Sequence, residues 1–297
     1  MSTKAPRPRD TDRQRVIVVS GGTDGMGRAF ALARVRSGDK VVALGSNPEK
    51  GRRLLEEATR SGAVGGIEFV RVDLASVGGT RSAIARVVAA HDAVDSLVLF
   101  ANRHSPRRVL TEDGLERTFA LYYLSRFLLG EGLGPLLRRS ARPVIVNVAG
   151  VGARAGRIHW DDLRLEHRYG TVRAQLQAGR ANDLLGVAHA ARPGETVPYV
   201  LYHPGFTRSG DLGPLPAPAR LLIRALARVA ARPVEESVAP VHGFVDNPPK
   251  APLTAIDRGR SLPLDLPTLA PGDAERLAEV TRELLRAITS GGGGHGR

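Results

Sequence analysis

Residues 16–27 read Val16-Ile17-Val18-Val19-Ser20-Gly21-Gly22-Thr23-Asp24-Gly25-Met26-Gly27, and an Ala, Leu and Arg segment follows to about Arg36. Four β-branched residues in a row predict a strand buried on both faces, because a strand with one wet face would alternate apolar and polar. Glycines 21, 25 and 27 let the chain turn sharply and bring its backbone close to a ligand. The helix that follows would offer unpaired amides and the positive end of its dipole to an anion. Strand, glycine-rich turn and helix, in that order, is the setting in which such a turn cradles a pyrophosphate.

Outward from this unit the same alternation repeats. Apolar strands are expected at 41–44, 67–72, 96–100, 144–148 and 197–202. Helices are expected from Pro48, over 83–90, from near Thr111 (where Thr-Glu-Asp-Gly offers an N-cap), over 174–191 and near 273–288. Continuous apolar strands separated by helices predict an α/β fold of the Rossmann type, a doubly wound parallel sheet with helices on both faces. One domain is expected over 15–289, between a disordered tail at 1–14 and a Gly-rich tail at 290–297. Residues 206–235, rich in Pro, Leu and Ala, suit a helical flap over a crevice. Residues 246–272 are punctuated by proline and are expected to run extended over the surface.

Composition narrows the function. The chain has 297 residues, 42% hydrophobic and 25% charged, which suits one hydrophobic core and excludes wholesale disorder. It has no cysteine, which excludes disulfides, thiolate metal sites and thiol catalysis. No apolar run reaches a membrane-spanning length and the N-terminus lacks an apolar signal segment, so no membrane partner and a cytoplasmic location are expected. The net charge of +13 comes from arginines spread along the chain, with only Lys4, Lys40, Lys50 and Lys250 as lysines. A nucleic-acid binder would concentrate them and interleave aromatics, which are only 4% here, so no nucleic-acid partner is expected. No His and Asp cluster has metal-ligand spacing, so no metal is expected.

The spacing G-x-x-x-G-x-G at 21–27 resembles the short-chain dehydrogenase/reductase family, and most of the chain shares the likeness. Val72-Asp73-Leu74 matches the family's Asp-Leu pair. Asn47-Pro48-Glu49-Lys50-Gly51, Thr111-Glu112-Asp113-Gly114-Leu115, Gly156-Arg157-Ile158-His159-Trp160 and His203-Pro204-Gly205 look like its retinol-dehydrogenase branch. The resemblance implies a nicotinamide dinucleotide held by Gly21, Thr23, Asp24, Gly25, Met26, Gly27, Ser46, Asn47, Asp73, Leu74, Ala101, Pro204, Gly205 and Ser209. In it Asp73 meets the adenine amine and Pro204-Gly205 cradles the nicotinamide carboxamide, with Ser209 in place of a threonine. The second strand ends in Gly45-Ser46-Asn47, with no acid to hold a ribose 2′-hydroxyl, which favours NADPH. The arginine that similar reductases carry at position 46 is missing, which leaves NADH possible.

The family's reductases protonate the nascent alkoxide from a Tyr, lower that Tyr's pKa with a Lys four residues on, orient substrate with a Ser and anchor a water with an Asn. These positions hold Gln175, Gly179, Gly150 and Tyr122 respectively, so no catalytic residue of that kind is expected. No lysine lies between Lys50 and Lys250, so no Tyr-x-x-x-Lys exists there in any register; Tyr169-x-x-x-Arg173 is the nearest imitation. A general acid is worth roughly 10²–10⁴ in rate. Reduction would survive this loss if a phenol beside the ketone supplied its own proton. An intact cofactor loop beside empty acid–base positions resembles an atypical ketoreductase of angucyclinone assembly. It implies an NAD(P)H-dependent ketoreductase acting on a polycyclic aromatic polyketide in antibiotic biosynthesis. Two other readings are a non-catalytic dinucleotide-binding scaffold and a non-redox isomerase or cyclase. Candidate substrate contacts are His104, Tyr122, Tyr123, Trp160 and Phe206. The sequence leaves open whether the chain is a monomer or a homo-oligomer.

Overall fold

The structure is a computed structural model and describes residues 13–205 and 233–291. The first unit is strand β1 (Val16–Ser20), the glycine turn and helix α1 (Gly25–Arg36). Every residue of β1 is buried, and its two faces feed different cores. Val16 and Val18 pack with one helical layer, while Ile17 and Val19 pack with Phe30, Leu32 and Val35 of α1. That division is why the strand reads as a continuous apolar run.

The chain continues through β2 (Lys40–Gly45), α2 (Pro48–Arg60), β3 (Ile67–Arg71), α3 (Val77–Ala90) and β4 (Ser96–Leu99). Next come α4 (Arg117–Phe119), a π turn (Ala120–Leu124) and α5 (Ser125–Leu137), which run on without a break. Strand β5 (Val144–Val148), α6 (Thr171–Ala190) and β6 (Tyr199–His203) follow, then α7 (Val234–Asp246), β7 (Leu253–Asp257), β8 (Arg260–Ser261) and α8 (Pro271–Gly291). The sheet order is β3-β2-β1-β4-β5-β6-β7-β8, parallel except for the β7–β8 pair. Strand order reverses between β1 and β4, which opens a crevice at their carboxyl ends. This is the expected doubly wound Rossmann-type sheet.

Buried polar contacts fix the outer elements. Arg34 of α1, 3% exposed, donates to Asp39 at 2.6 Å and to both carboxylate oxygens of Asp246 on α7. Ala274, Leu277, Ala278, Thr281 and Leu285 form the buried face of α8, which packs on α6.

Several expectations change. The helix expected near Thr111 starts six residues later, capped by Glu116, whose carboxylate accepts from the Thr118 and Phe119 amides at 2.8 Å. Thr111–Leu115 instead closes on itself, with the Thr111 amide on the Leu115 carbonyl, and Asp113 caps α3 through the Val77 amide at 2.9 Å. The Thr-Glu-Asp-Gly signal is real, but it serves a neighbouring helix. The stretch 246–272 is not merely extended over the surface: Leu253 and Ala255 alternate inward and β7 joins β6 in parallel. Its prolines lie outside the strand, and Arg258-Gly259, both at positive φ, make the two-residue hairpin to β8. At the tails, Arg13 pairs with Asp95 and Gln14 donates to the Gly38 carbonyl, so the domain takes in part of 1–14. Ser290 and Gly291 continue α8. Of the expected flap at 206–235, Val234 and Glu235 begin α7, and 206–232 lie outside the described residues.

Candidate active site

Two glycines shape the cavity by having no side chain. Gly21 turns at φ +71°, and a β-carbon there would come within 2.9 Å of the Ala101 backbone. A β-carbon on Gly27 would lie 2.2 Å from the Gly21 carbonyl oxygen. The loop is therefore folded tightly against the start of α1, leaving the helix's first amides facing a cavity of about 490 Å³. Asp24 caps α1 through the Gly25 amide at 2.9 Å and pairs with Lys50 across the cavity mouth. Lys50 holds the Asp24 carboxyl below its ordinary pKa against the opposing effect of burial.

Of the expected cofactor contacts, Gly21, Thr23, Asp24, Gly25, Met26, Gly27, Ser46, Asn47, Asp73, Leu74 and Ala101 line this one cavity. Asn47 also caps α2, accepting from the Lys50 amide at 3.0 Å. Asp73 accepts from the Ala75 amide at 2.9 Å and faces Arg117 at 3.6 Å. Pro204 and Gly205 stand at the end of β6, outside the cavity lining. His203 before them is tied to Asp257 at 2.7 Å. Ser209 and Phe206 lie outside the described residues. The cavity also takes in Lys50, Arg117, Asn102 and Leu121, which the sequence reading missed. Lys50 was legible as the residue one turn into α2 from Asn47; Arg117 has no local signal, because a helix start displaced from 111 brings it there.

This loop, its helix and the carboxyl ends of β1, β2 and β4 fit a dinucleotide: the crowded glycines allow close approach of a pyrophosphate to the α1 amides. A family model described as short chain dehydrogenase matches residues 15–161. A Streptomyces sp. (strain C5) protein, DnrU, whose name assigns it daunorubicin C-13 ketoreduction, is 33% identical over 66% of this chain and 67% of its own. The chain belongs to the short-chain dehydrogenase family. Human retinol dehydrogenase 13 is 29% identical over 67% of this chain, and the match spans 60% of the human protein's length. A Mycobacterium paratuberculosis protein of solved structure superposes with a TM-score of 0.70 at 22% identity, covering 92% of this chain and 94% of its own. A short-chain dehydrogenase of Shigella flexneri, complexed with NADP, does so at 0.60 and 19%, covering 83% and 97%. These two establish shared fold.

The residues that the family resemblance sets at the four catalytic positions, Gln175, Gly179, Gly150 and Tyr122, have the following surroundings. Among the described residues, a β-carbon at Gly150 or Gly179 would meet nothing within 4 Å. Gln175 forms a reciprocal amide pair with Asn102, at 3.1 and 3.2 Å, and also donates to the Arg103 carbonyl. Tyr122 sits in the π turn, a feature frequent at functional sites. Its hydroxyl accepts from the Gly150 amide at 3.3 Å, and its backbone carbonyl accepts from Asn182 at 2.8 Å. Asn182 in turn accepts from Asn147, 3.0 Å away.

The remaining candidates separate. His104 lines the cavity, and burial holds its imidazole below the ordinary pKa, so it is neutral at neutral pH. Tyr123 is corrected to a packing role: its hydroxyl is buried against Thr281 of α8 at 2.7 Å. Trp160 is corrected likewise, since its ring lies under the Arg276 guanidinium at 4.2 Å and anchors its loop to α8. The Tyr169 and Arg173 imitation comes apart, with the Tyr169 hydroxyl on the Ser105 carbonyl and Arg173 on His159. Among the described residues no three His, Cys, Asp or Glu side chains gather to hold a metal, and no helix is long and apolar enough to cross a membrane.

Proposed function

We propose that this dehydrogenase is an NAD(P)H-dependent ketoreductase whose substrate is a polycyclic aromatic polyketide ketone of the angucyclinone kind, and whose proton comes from a phenol on the substrate itself. The observation that carries the reading is the contrast between the two halves of the site. The glycine cradle is present, while the position the resemblance gives to the acid holds an amide paired with Asn102, and those it gives to the serine and lysine hold glycines with no described atom within 4 Å of a β-carbon. An amide can orient a substrate oxygen but cannot give up a proton at neutral pH. The similarity to DnrU supports an aromatic polyketide ketone as substrate.

A bound reduced nicotinamide supplies the hydride. The Gly21–Gly27 turn and the α1 amides would hold its pyrophosphate, Asp73 would meet its adenine, and Lys50, Ser46 and Asn47, which line the same cavity, would offer donors to a 2′-phosphate and so favour NADPH. Gly150 and Gly179, with no side chain, would leave room for a flat ring system beside them. As the ketone carbon gains hydride, its π pair moves to oxygen. The neighbouring phenol's O–H breaks to protonate that oxygen, leaving a phenolate that takes a proton from water. The balance is ketone, NADPH and a proton to alcohol and NADP⁺.

The test follows NADPH absorbance with aryl ketones matched in pairs, with and without a neighbouring phenol. Turnover confined to the hydroxylated members is expected. Equal turnover of both members would sink the substrate-acid reading, and NADPH binding without any turnover would sink the reductase.

A further inference from the structure

Arg126 is an unexplained cation in this site. It lies one helical turn after Tyr122, is 1% exposed, and its guanidinium stands 4.6 Å from the centroid of the Tyr122 ring. It donates to the Asn147 side-chain oxygen, to the Val148 carbonyl at 3.0 Å and to the Ala101 carbonyl at 2.9 Å. All three acceptors are neutral, and its Nε has no partner among the described residues. Among the described residues the titratable groups that act on it are Tyr122 and Tyr199, and no carboxylate does. A buried charge without a counter-ion is among the costliest features a fold can keep. Three carbonyl oxygens hold Arg126 in place without neutralising it, directly behind Ala101, which lines the cavity. An anion arriving in that cavity would complete the pair.

Tyr122 follows Leu121, which lines that cavity, and its ring is the aromatic that Arg126 stands over. It packs with Ala149 and Ala178, the residues that immediately precede Gly150 and Gly179. Its oxygen accepts from the Gly150 amide, and its own hydrogen has no acceptor among the described residues. Beside it, no atom of the described residues lies within 4 Å of where a β-carbon on Gly150 or Gly179 would stand.

We propose that Tyr122 and Arg126 together form an oxyanion anchor: the Tyr122 hydroxyl donates to the substrate oxygen that gains negative charge, and Arg126 stabilises that charge from behind the ring. The expected ligand is an aryl oxyanion, a phenolate conjugated to a ketone. This rests on the ketoreductase reading above and gives its phenolate a place to be held. Tyr122 is the catalytic residue of the pair, and Arg126 acts through it as a positioning residue. Burial raises the Tyr122 pKa, with Asp183 adding to the rise and Arg126 opposing it, so the phenol remains a hydrogen-bond donor at neutral pH. Burial pushes Arg126 down to about 10, which still leaves it charged. Electrostatic donors of this kind act most strongly where water is excluded.

The test is an absorbance titration of 1-hydroxyanthraquinone bound to the protein with NADP⁺, so that no hydride is available. In the wild type, the bound phenol should be about tenfold or more ionised at a pH where the free phenol is mostly protonated, a shift of about one pKa unit. Tyr122→Phe and Arg126→Met should each remove most of that shift, and Arg126→Lys should keep most of it, with far-ultraviolet circular dichroism confirming folded protein. Failure of the wild type to bind the probe, or an unshifted bound phenol, would overturn the anchor, as would a shift that survives in both Tyr122→Phe and Arg126→Met. Should Arg126→Met not fold, Tyr122→Phe decides alone. A shifted phenol with no ketone turnover leaves the anchor standing and defeats the reductase; turnover without a shift does the reverse.

Discussion

Gly27 is where a single atom decides whether the cofactor can bind. Its missing β-carbon would sit 2.2 Å from the Gly21 carbonyl, so Gly27→Ala must push the turn away from α1. We expect at least a tenfold loss of NADPH affinity, about 1.4 kcal/mol, in a fluorescence titration. Asp183 carries a different kind of stress. It is 1% exposed, accepts from the Gly152 amide at 3.1 Å, has one oxygen without a partner among the described residues, and sees Arg180 only at 3.8 Å. Burial raises its pKa to about 7 from an ordinary 3.8. The folded state therefore holds a proton that the unfolded state has lost between those values, so this group's contribution to stability is full at low pH and falls as pH rises toward about 7. Asp183→Asn keeps the acceptor and removes the charge. Its stability should match the wild type near pH 4 and exceed it by about 4 kcal/mol above pH 8, measured by urea unfolding at both pH values. An equal difference at the two pH values would contradict this.

At the scale of elements, the π turn and α8 depend on each other. The extra residue at 120–124 sets Tyr122 toward the Gly150 amide and Tyr123, on an adjacent bearing, into the α8 interface. Two neighbouring tyrosines thus divide the work, one facing the site and one binding the helix that covers α6. Tyr123→Phe removes only the buried hydrogen bond to Thr281. It should cost about 1 kcal/mol in thermal or urea unfolding and leave ketone turnover within twofold of wild type. A large fall in turnover with NADPH binding intact would mean that Tyr123 reaches substrate after all. The same separation explains the helix N-cap that moved: Thr111 and Asp113 are good caps, yet Asp113 is drawn to the Val77 amide of α3 because the loop lies against that helix.

Across the whole molecule, one cavity joins the ends of three strands, so a ligand there stabilises the entire domain. NADPH at about a hundred times its Kd should add about 2.7 kcal/mol, seen as a Tm rise of several degrees in a thermal-shift assay. NADH at the same concentration should give less if Lys50, Ser46 and Asn47 favour the 2′-phosphate, and equal shifts would remove that preference. The doubly wound sheet was legible because burial on both faces makes β1, β4 and β5 continuous apolar runs, and that pattern is written in adjacent residues. The glycine cradle was legible for the same reason: its turn, close approach and helix start lie within twelve residues. The absence of Tyr-x-x-x-Lys was legible as well, since a missing lysine needs no register. What the sequence could not disclose was contact between distant segments. It could not place Arg117 beside Asp73, turn Tyr123 and Trp160 away from the cavity toward α8, recruit 253–257 into the sheet, or show that Arg126 is buried beneath Tyr122 with no counter-ion among the described residues. Spacing along the chain determines which faces are apolar and where the backbone can bend; only tertiary packing decides which charges are stripped of water and which side chains meet, because both depend on segments that are neighbours in space alone.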